Sequence, residues 1–162
     1  MTVVPRFFQD PGSSFFLFGP RGTGKSTWLR ATLPHALWID LLEPDVEREL
    51  SARPERLRAL VEGVPQPGVV VVDEVQRAPE VLTVVHQLLE EKVPRRRFVL
   101  TGSSARKLKR AGVDLLGGRA LRRTMHPFMA AELGTAYDLE RALRDGLVPG
   151  VWPKRKKLEP GS

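Results

Sequence analysis

The sequence predicts an α/β fold, a three-layer sandwich around a mainly parallel five-stranded sheet. Three observations point there. Short apolar runs, such as Phe15-Phe16-Leu17-Phe18 and Val69-Val70-Val71-Val72, have strand length and lack the alternation of a half-exposed sheet. Segments with helical spacing separate these runs, so strand and helix alternate along the chain. The first run also leads straight into a glycine-rich loop that opens a helix, Gly19-Pro20-Arg21-Gly22-Thr23-Gly24-Lys25-Ser26.

Residues 1–14 are a lead-in. Arg6-Phe7-Phe8 is apolar enough to dock on the domain, and Asp10-Pro11-Gly12-Ser13-Ser14 turns the chain. The first strand is Phe15 to Phe18, and the first helix runs from Lys25 to Leu33, stopped before Pro34. Ala36 to Asp40 is a second strand ending in an acid. Helices follow over Pro44 to Leu50 and Pro54 to Val61, with prolines suited to helix starts. After a loop at Gly63 and Pro65 to Gly68, a third strand covers Val69 to Glu74 and ends in two carboxylates. Pro79 to Lys92 is amphipathic, with Val81, Val84, Val85, Leu88 and Leu89 at helical spacing. Arg95-Arg96-Arg97 leads into a fourth strand, Phe98-Val99-Leu100, with the polar end Thr101-Gly102-Ser103-Ser104. Ala105 to Arg110 is a short basic helix, Leu115 to Arg119 a loop, and Ala120 to Met125 an alternating fifth strand at the sheet edge. His126-Pro127-Phe128 turns the chain into Met129 to Gly134, and a last helix spans Leu139 to Arg144 with Asp138 as its N-cap. Residues 1–150 read as one domain. Residues 151–162 read as a basic disordered tail, in which Lys157 to Ser162 fits a cloning remnant and Lys154 to Lys157 has a targeting signal as its rival reading.

The chain has 162 residues, 41% hydrophobic and 28% charged, the size and composition of one soluble globular domain. No apolar run approaches the ~18 residues of a membrane span, and Met1 to Arg6 has no signal-peptide layout. A cytoplasmic location with no membrane partner is therefore expected. There is no cysteine, which excludes disulfides and thiolate metal sites, and His35, His86 and His126 lack metal-ligand spacing. The net charge is +7, but Lys154 to Lys157 carry much of it, and the arginine-rich remainder reads as a compositional habit. A nucleic-acid partner is left open without being indicated. Arg95-Arg96-Arg97 and Arg106-Lys107-Leu108-Lys109-Arg110 could contact phosphates, although a solvated face is the more usual fate of such runs.

The chemistry starts at the glycine-rich loop. A G-x-x-x-x-G-K-S sequence between a strand and a helix has the context of a phosphate-binding loop. Its glycines let the backbone wrap closely around phosphates, and successive N–H groups point into the concavity at the positive end of a helix dipole. Residues Gly19, Pro20, Arg21, Gly22, Thr23, Gly24, Lys25, Ser26 and Thr27 are thus expected to bind a nucleoside triphosphate. Lys25 supplies a point charge to the β and γ phosphates, and Ser26 a hydroxyl for Mg²⁺. Asp73, closing the four-valine strand, is the expected second metal residue. Glu74 follows directly, where a carboxylate orients or deprotonates an attacking water. That favours hydrolysis over a kinase, which must exclude water. A further hydroxyl near the γ-phosphate is expected among Thr101, Ser103 and Ser104. Ser103 is the first choice and Thr101 the second, while a helix cap fits Ser103 or Ser104 as well. Arg119 on its Gly-rich loop suits an arginine finger given in trans to a neighbouring copy, and equally a solvated arginine. Gln76 could couple the acidic edge to a partner or to the γ-phosphate.

Five stretches occur in an order that resembles a known family: Phe18 to Ser26, Val72-Asp73-Glu74-Val75-Gln76, Leu100 to Ser104, Leu115 to Arg119, and His126-Pro127-Phe128-Met129-Ala130-Ala131-Glu132-Leu133. Together, over roughly residues 10–150, they resemble the prokaryotic AAA-type P-loop ATPases that carry a further C-terminal domain of unknown function. The resemblance implies an AAA+-like nucleotide domain with sheet order 5-1-4-3-2. It makes Gly19 to Ser26 the first nucleotide motif, Asp73 and Glu74 the second, Thr101 to Ser104 the sensor strand and Arg119 a candidate finger. Members of that family continue past Gly146 to Gly150 into further helical regions, so this chain is expected to hold only the N-terminal ATPase core, without the helical lid.

The expected function is therefore an ATP-binding, Mg²⁺-dependent ATP-hydrolysing domain with ATP and ADP as ligands, in which Lys25, Glu74, Ser103 and Arg119 serve catalysis and a homo-oligomer shares Arg119. The alternatives are a nucleotide-dependent interaction switch with little turnover and, behind it, a small-molecule or nucleotide kinase.

Overall fold

The computed structural model describes residues 4–65, 68–91, 96–110 and 116–152. Its strands are β1 (Phe15–Phe18), β2 (Leu37–Asp40), β3 (Gly68–Asp73), β4 (Arg96–Gly102) and β5 (Leu121–Thr124). They form one sheet in the order β2-β3-β4-β1-β5, which is 5-1-4-3-2 read from the other edge. Every neighbouring pair is parallel. The third strand stops at Asp73, one residue short of its expected end, because Glu74 turns out of the pleat.

The helices are α1 (Lys25–Thr32), α2 (Pro44–Ala52), α3 (Arg56–Glu62), α4 (Val81–Glu90), α5 (Ala105–Arg110), α6 (Ala130–Leu133) and α7 (Leu139–Asp145). Pro44 opens α2, where its missing N–H is no loss. Pro54 instead sits in the turn before α3, its carbonyl accepting the N–H of Leu57 at 3.1 Å. Asp138 caps α7 as its side chain accepts the N–H of Arg141 at 2.8 Å.

Strand alternation divides the sheet between two cores. Phe16, Phe18, Val70, Val72, Phe98 and Leu100 face α2, α3 and α4, meeting Leu50, Leu57, Val61, Val81, Val85 and Leu88. Phe15, Leu17, Val71 and Val99 face the opposite way and meet Leu29 of α1 and Met125. Phe8 of the lead-in extends this second layer, its ring edge-on to Trp28 at 4.8 Å, while Phe7 stays exposed. The lead-in is tied down further by Glu132, which accepts the N–H groups of Phe7 and Met129, each at 2.9 Å, and pairs with the nearly buried Arg6 at 3.4 Å. Burial pulls the Arg6 guanidinium below its ordinary range, against the opposing pull of Glu132.

A third cluster joins Phe128, Leu133 and Trp152 to Val4, Tyr137, Ala142 and Leu147. Trp152 is 2% exposed, its ring stacks near Tyr137 at 6.4 Å, and the Arg141 guanidinium lies 4.7 Å over it. Trp152 thus packs two residues past the boundary expected at residue 150. A tryptophan buries too much apolar surface to be left in a solvated tail, and the packed domain runs through Trp152. Residues 153–162 lie outside the described residues, as do Met1 to Val3, Lys92, Arg95 and Leu115. No helix among the described residues is long and apolar enough to cross a membrane.

The two environments of the chain separate in a stability measurement. Phe98→Ala, which empties a fully buried ring position in the larger core, is expected to lower the unfolding free energy by about 3–5 kcal/mol. Leu143→Ala, at a residue 80% exposed on α7, is expected to change it by less than ~0.5 kcal/mol. Urea unfolding of the two variants checks both values.

Candidate functional site

The C-terminal ends of β1, β3 and β4 converge on one crevice, the usual ligand position of open α/β sheets. The chain leaves β1 pinned on two sides. The N–H of Gly19 donates to Gly102 at the end of β4 at 3.2 Å, and the N–H of Met125, just past β5, donates to the Phe18 carbonyl at 2.7 Å. A Cβ on Gly19 would stand 2.3 Å from the Met125 carbonyl oxygen, so only glycine fits there. Gly22 and Gly24 have φ of 80° and 87°, in the left-handed region that disfavours side chains. Between them Thr23 is fully buried, and its Oγ1 donates to the Pro20 carbonyl at 2.9 Å. Gly24 is the N-cap of α1, whose first turn carries no acidic residue, so no carboxylate of the helix itself competes for its N–H groups and positive dipole end.

Lys25 is buried, and its Nζ donates to the carbonyls of Gly19 and Pro20 at 2.7 and 3.1 Å. Burial pulls this ammonium below the usual lysine range. Glu74 and Asp73 act against that, and Arg21 adds to it. One residue on, Ser26 Oγ donates to Asp73 Oδ2 at 2.8 Å.

Asp73 closes β3 beside β4. The register pairs Val72 with Leu100, which brings Asp73 next to Thr101. The fully buried Thr101 hydroxyl donates to Asp73 Oδ1 and accepts the N–H of Glu74 at 2.9 Å. Each oxygen of the Asp73 carboxylate is thus held by a hydroxyl from a different element. Glu74 then takes φ 58° and ψ 48°, a left-handed conformation that costs a residue with a side chain about 1–2 kcal/mol. It heads a 3-10 turn, Val75–Arg77, in which its carbonyl accepts the N–H of Arg77 at 2.9 Å. The Gln76 Nε2 donates to Glu74 Oε2.

Lys25, Ser26, Asp73 and Glu74, singled out in the sequence, come together. The three candidate hydroxyls part company. Thr101 holds the two acids. Ser103 Oγ is buried without a hydrogen-bond partner among the described residues, and Ser104 Oγ accepts the N–H of Arg106 at 3.2 Å as a turn cap before α5. Arg119 stands apart from this crevice. It precedes β5, whose first residue is level with Phe15 at the start of β1, and it bonds Glu90 at 2.5 Å. The backbone of His126 serves structure, its carbonyl accepting from Arg6.

Two residues not singled out in the sequence line the loop. A Cβ on Gly22 would lie 2.9 Å from Val148 Cγ1, and one on Gly24 3.7 Å from Pro149 Cγ. The segment after α7 is held there by Phe128 N–H donating to Leu147 and by Trp152 N–H donating to Val148, at 2.8 and 2.9 Å. The signal was Trp152, whose burial anchors the residues before it.

The crevice fits a triphosphate with Mg²⁺. The loop offers glycine backbone, helix N–H groups and one buried ammonium. The Ser26 and Asp73 oxygens are hard donors, and a metal that keeps most of its waters asks for few of them. Among the described residues no group of three or more His, Asp or Glu gathers as a dedicated metal cage.

A family described as an AAA domain matches residues 12–134. Comparison with curated proteins finds no match. Similar solved structures include the Walker-type ATPase PABY2304 of Pyrococcus abyssi, with TM-score 0.56 and 20% identity over 84% of this chain and 59% of that one. They also include the Aeropyrum pernix ORC1 protein in complex with DNA, with TM-score 0.43 and 16% identity over 75% of this chain and 41% of that one. The likeness to the first is one of fold, and the chain spans less than two thirds of the length of either.

Thr101→Val keeps the shape of the side chain and removes the hydroxyl that satisfies Asp73 and the Glu74 N–H. A buried donor left unpaired costs about 1–3 kcal/mol, and a loss of that size in urea unfolding is expected, against a much smaller change for Ser104→Ala at the turn before α5.

Proposed function

The chain belongs to the AAA domain family, and from that premise we propose that it binds ATP with Mg²⁺ and hydrolyses it. The observation that carries the reading is the Asp73-Glu74 step. One carboxylate is clamped beside Ser26, and the next is turned out of the strand and held apart from it. A binding site alone needs the first acid and has no use for the second.

In this reading Gly19 to Thr27 cradle the phosphates, and Lys25 trades its carbonyl partners for phosphate oxygens, which relieves an ammonium now held below its ordinary range by burial. Ser26 and Asp73 would hold Mg²⁺, which would supply charge neutralisation at the phosphates. Glu74 orients a water and accepts its proton as the water oxygen attacks the γ-phosphorus and ADP leaves. Ser103, whose hydroxyl has no partner among the described residues, bonds the γ-phosphate or the water. Val148 and Pro149 cover the outer side of the loop. Arg119 acts on a neighbouring copy, since it lies at the opposite end of the sheet from its own loop. We place this activity in the cytoplasm, where ATP is supplied.

Lys25→Ala is expected to abolish ATP binding in a calorimetric titration. Glu74→Gln is expected to keep ATP binding within a few-fold and to slow single-turnover hydrolysis by ~10²–10⁴-fold. Hydrolysis at the wild-type rate in Glu74→Gln would remove the base assignment.

Specific activity is expected to rise with protein concentration and to lose that rise in Arg119→Ala. A flat, near-zero rate with tight ATP binding would assign the chain to the interaction-switch reading instead.

A further inference from the structure

We propose that Gln76 is a positioning residue for Glu74, fixing that carboxylate in the one orientation from which it takes a proton from water. The inference rests on the reading of Glu74 as the water-activating base and goes on to say what holds it.

Glu74 needs a holder. Its backbone has left the pleat, so neither strand neighbour sets its side chain, and a free glutamate samples rotamers worth up to ~2 kcal/mol of entropy. Among the described residues one side-chain hydrogen bond reaches the carboxylate, from the Gln76 amide to Oε2. Donation to a carboxylate fixes which end of the amide faces Glu74. The Gln76 Oε1 is therefore turned away, buried and without a hydrogen-bond partner among the described residues. That oxygen lies over the end of β4, where a Cβ on Gly102 would approach it to 2.9 Å.

This arrangement has two consequences. Oε2 is engaged and Oε1 of Glu74 is left to act on water, so one amide selects both the rotamer and the working oxygen. The Gln76 amide itself is seated on the strand end that leads into Ser103, and its unpaired carbonyl offers a second acceptor beside the base. Gly102 keeps its place free of a side chain. Its φ is not in the left-handed region, so the requirement for glycine there is one of space, set by Gln76 and by the Phe18 ring at 3.4 Å.

The test uses the full chain with ATP and Mg²⁺ and the variants Gln76→Met, which keeps volume and removes the amide, and Gly102→Ala, which displaces the amide without altering it. Both are expected to slow single-turnover hydrolysis by ~10–100-fold, as small misplacements of catalytic groups do, with the ATP dissociation constant unchanged in both and the melting temperature unchanged in Gln76→Met. In the Glu74→Gln background Gln76→Met is expected to add no further loss, since the two act as a unit. A readout independent of turnover is the Gln76 side-chain amide resonance in labelled protein without nucleotide, which is expected to move toward that of a free glutamine in Glu74→Ala. Wild-type hydrolysis in Gln76→Met, a multiplicative loss in the double variant, or an unmoved amide resonance would each overturn the inference while leaving the base assignment standing. Wild-type hydrolysis in Glu74→Gln would overturn the base assignment itself.

Discussion

The Asp73 carboxylate is the knot of this molecule. Ser26 reaches it from α1, Thr101 from β4, and it closes β3 itself. Three elements that are far apart in the chain are thereby fixed to one another at the end of the sheet where their backbones stop pairing. A buried carboxylate without partners would be expensive, and here each oxygen has a hydroxyl. The same Thr101 oxygen takes the N–H of Glu74, so the contact that satisfies one acid also fixes where the second begins. The register between β3 and β4 underlies all of this, since a slip by one residue would turn Thr101 to the other face.

Several backbone constraints meet around that knot. Gly19 is forced by the Met125 carbonyl, Gly22 and Gly24 by their left-handed backbone, and Gly102 by the Gln76 amide and the Phe18 ring. Glu74 is the one residue near the knot that adopts the left-handed conformation with a side chain. The conformation persists because its N–H and C=O are both bonded, to Thr101 and Arg77. A strand that ran on through residue 74 would point the glutamate into the core against α4. The left-handed turn carries it to the crevice instead.

How much of this was legible in the sequence depends on how local each feature is. The phosphate loop and its helix are written in consecutive residues, and the apolar runs Phe15 to Phe18 and Val69 to Val72 read directly as buried strands. The end of β3 at Asp73 and the left-handed Glu74 were not legible, because two adjacent acids look alike until a neighbouring strand supplies a hydroxyl to one of them. Sheet order came from resemblance to a family, since nothing in a strand's own residues states which strand lies beside it. Thr101 ranked behind Ser103 for the same reason: its role is set by register. Trp152 was read into the tail, and Val148 and Pro149 went without a role, because their partners, Tyr137, Gly22 and Gly24, come from elsewhere in the chain.

Arg119 shows what topology adds to a residue that sequence leaves undecided. β5 and β1 run parallel, with Phe15 level with Leu121 and Phe18 level with Thr124. Arg119 comes just before the first of these pairs and the phosphate loop just after the last. At ~3.3 Å per residue the two are separated by more than the ~13 Å length of β1, and no rotamer bridges that. The guanidinium is 41% exposed and paired with Glu90 on α4, in a half-exposed ion pair of the kind worth about 0–1 kcal/mol. Such a pair parks the arginine without committing it. The parallel sheet is thus the reason that one copy of the chain carries the loop and the arginine at opposite ends.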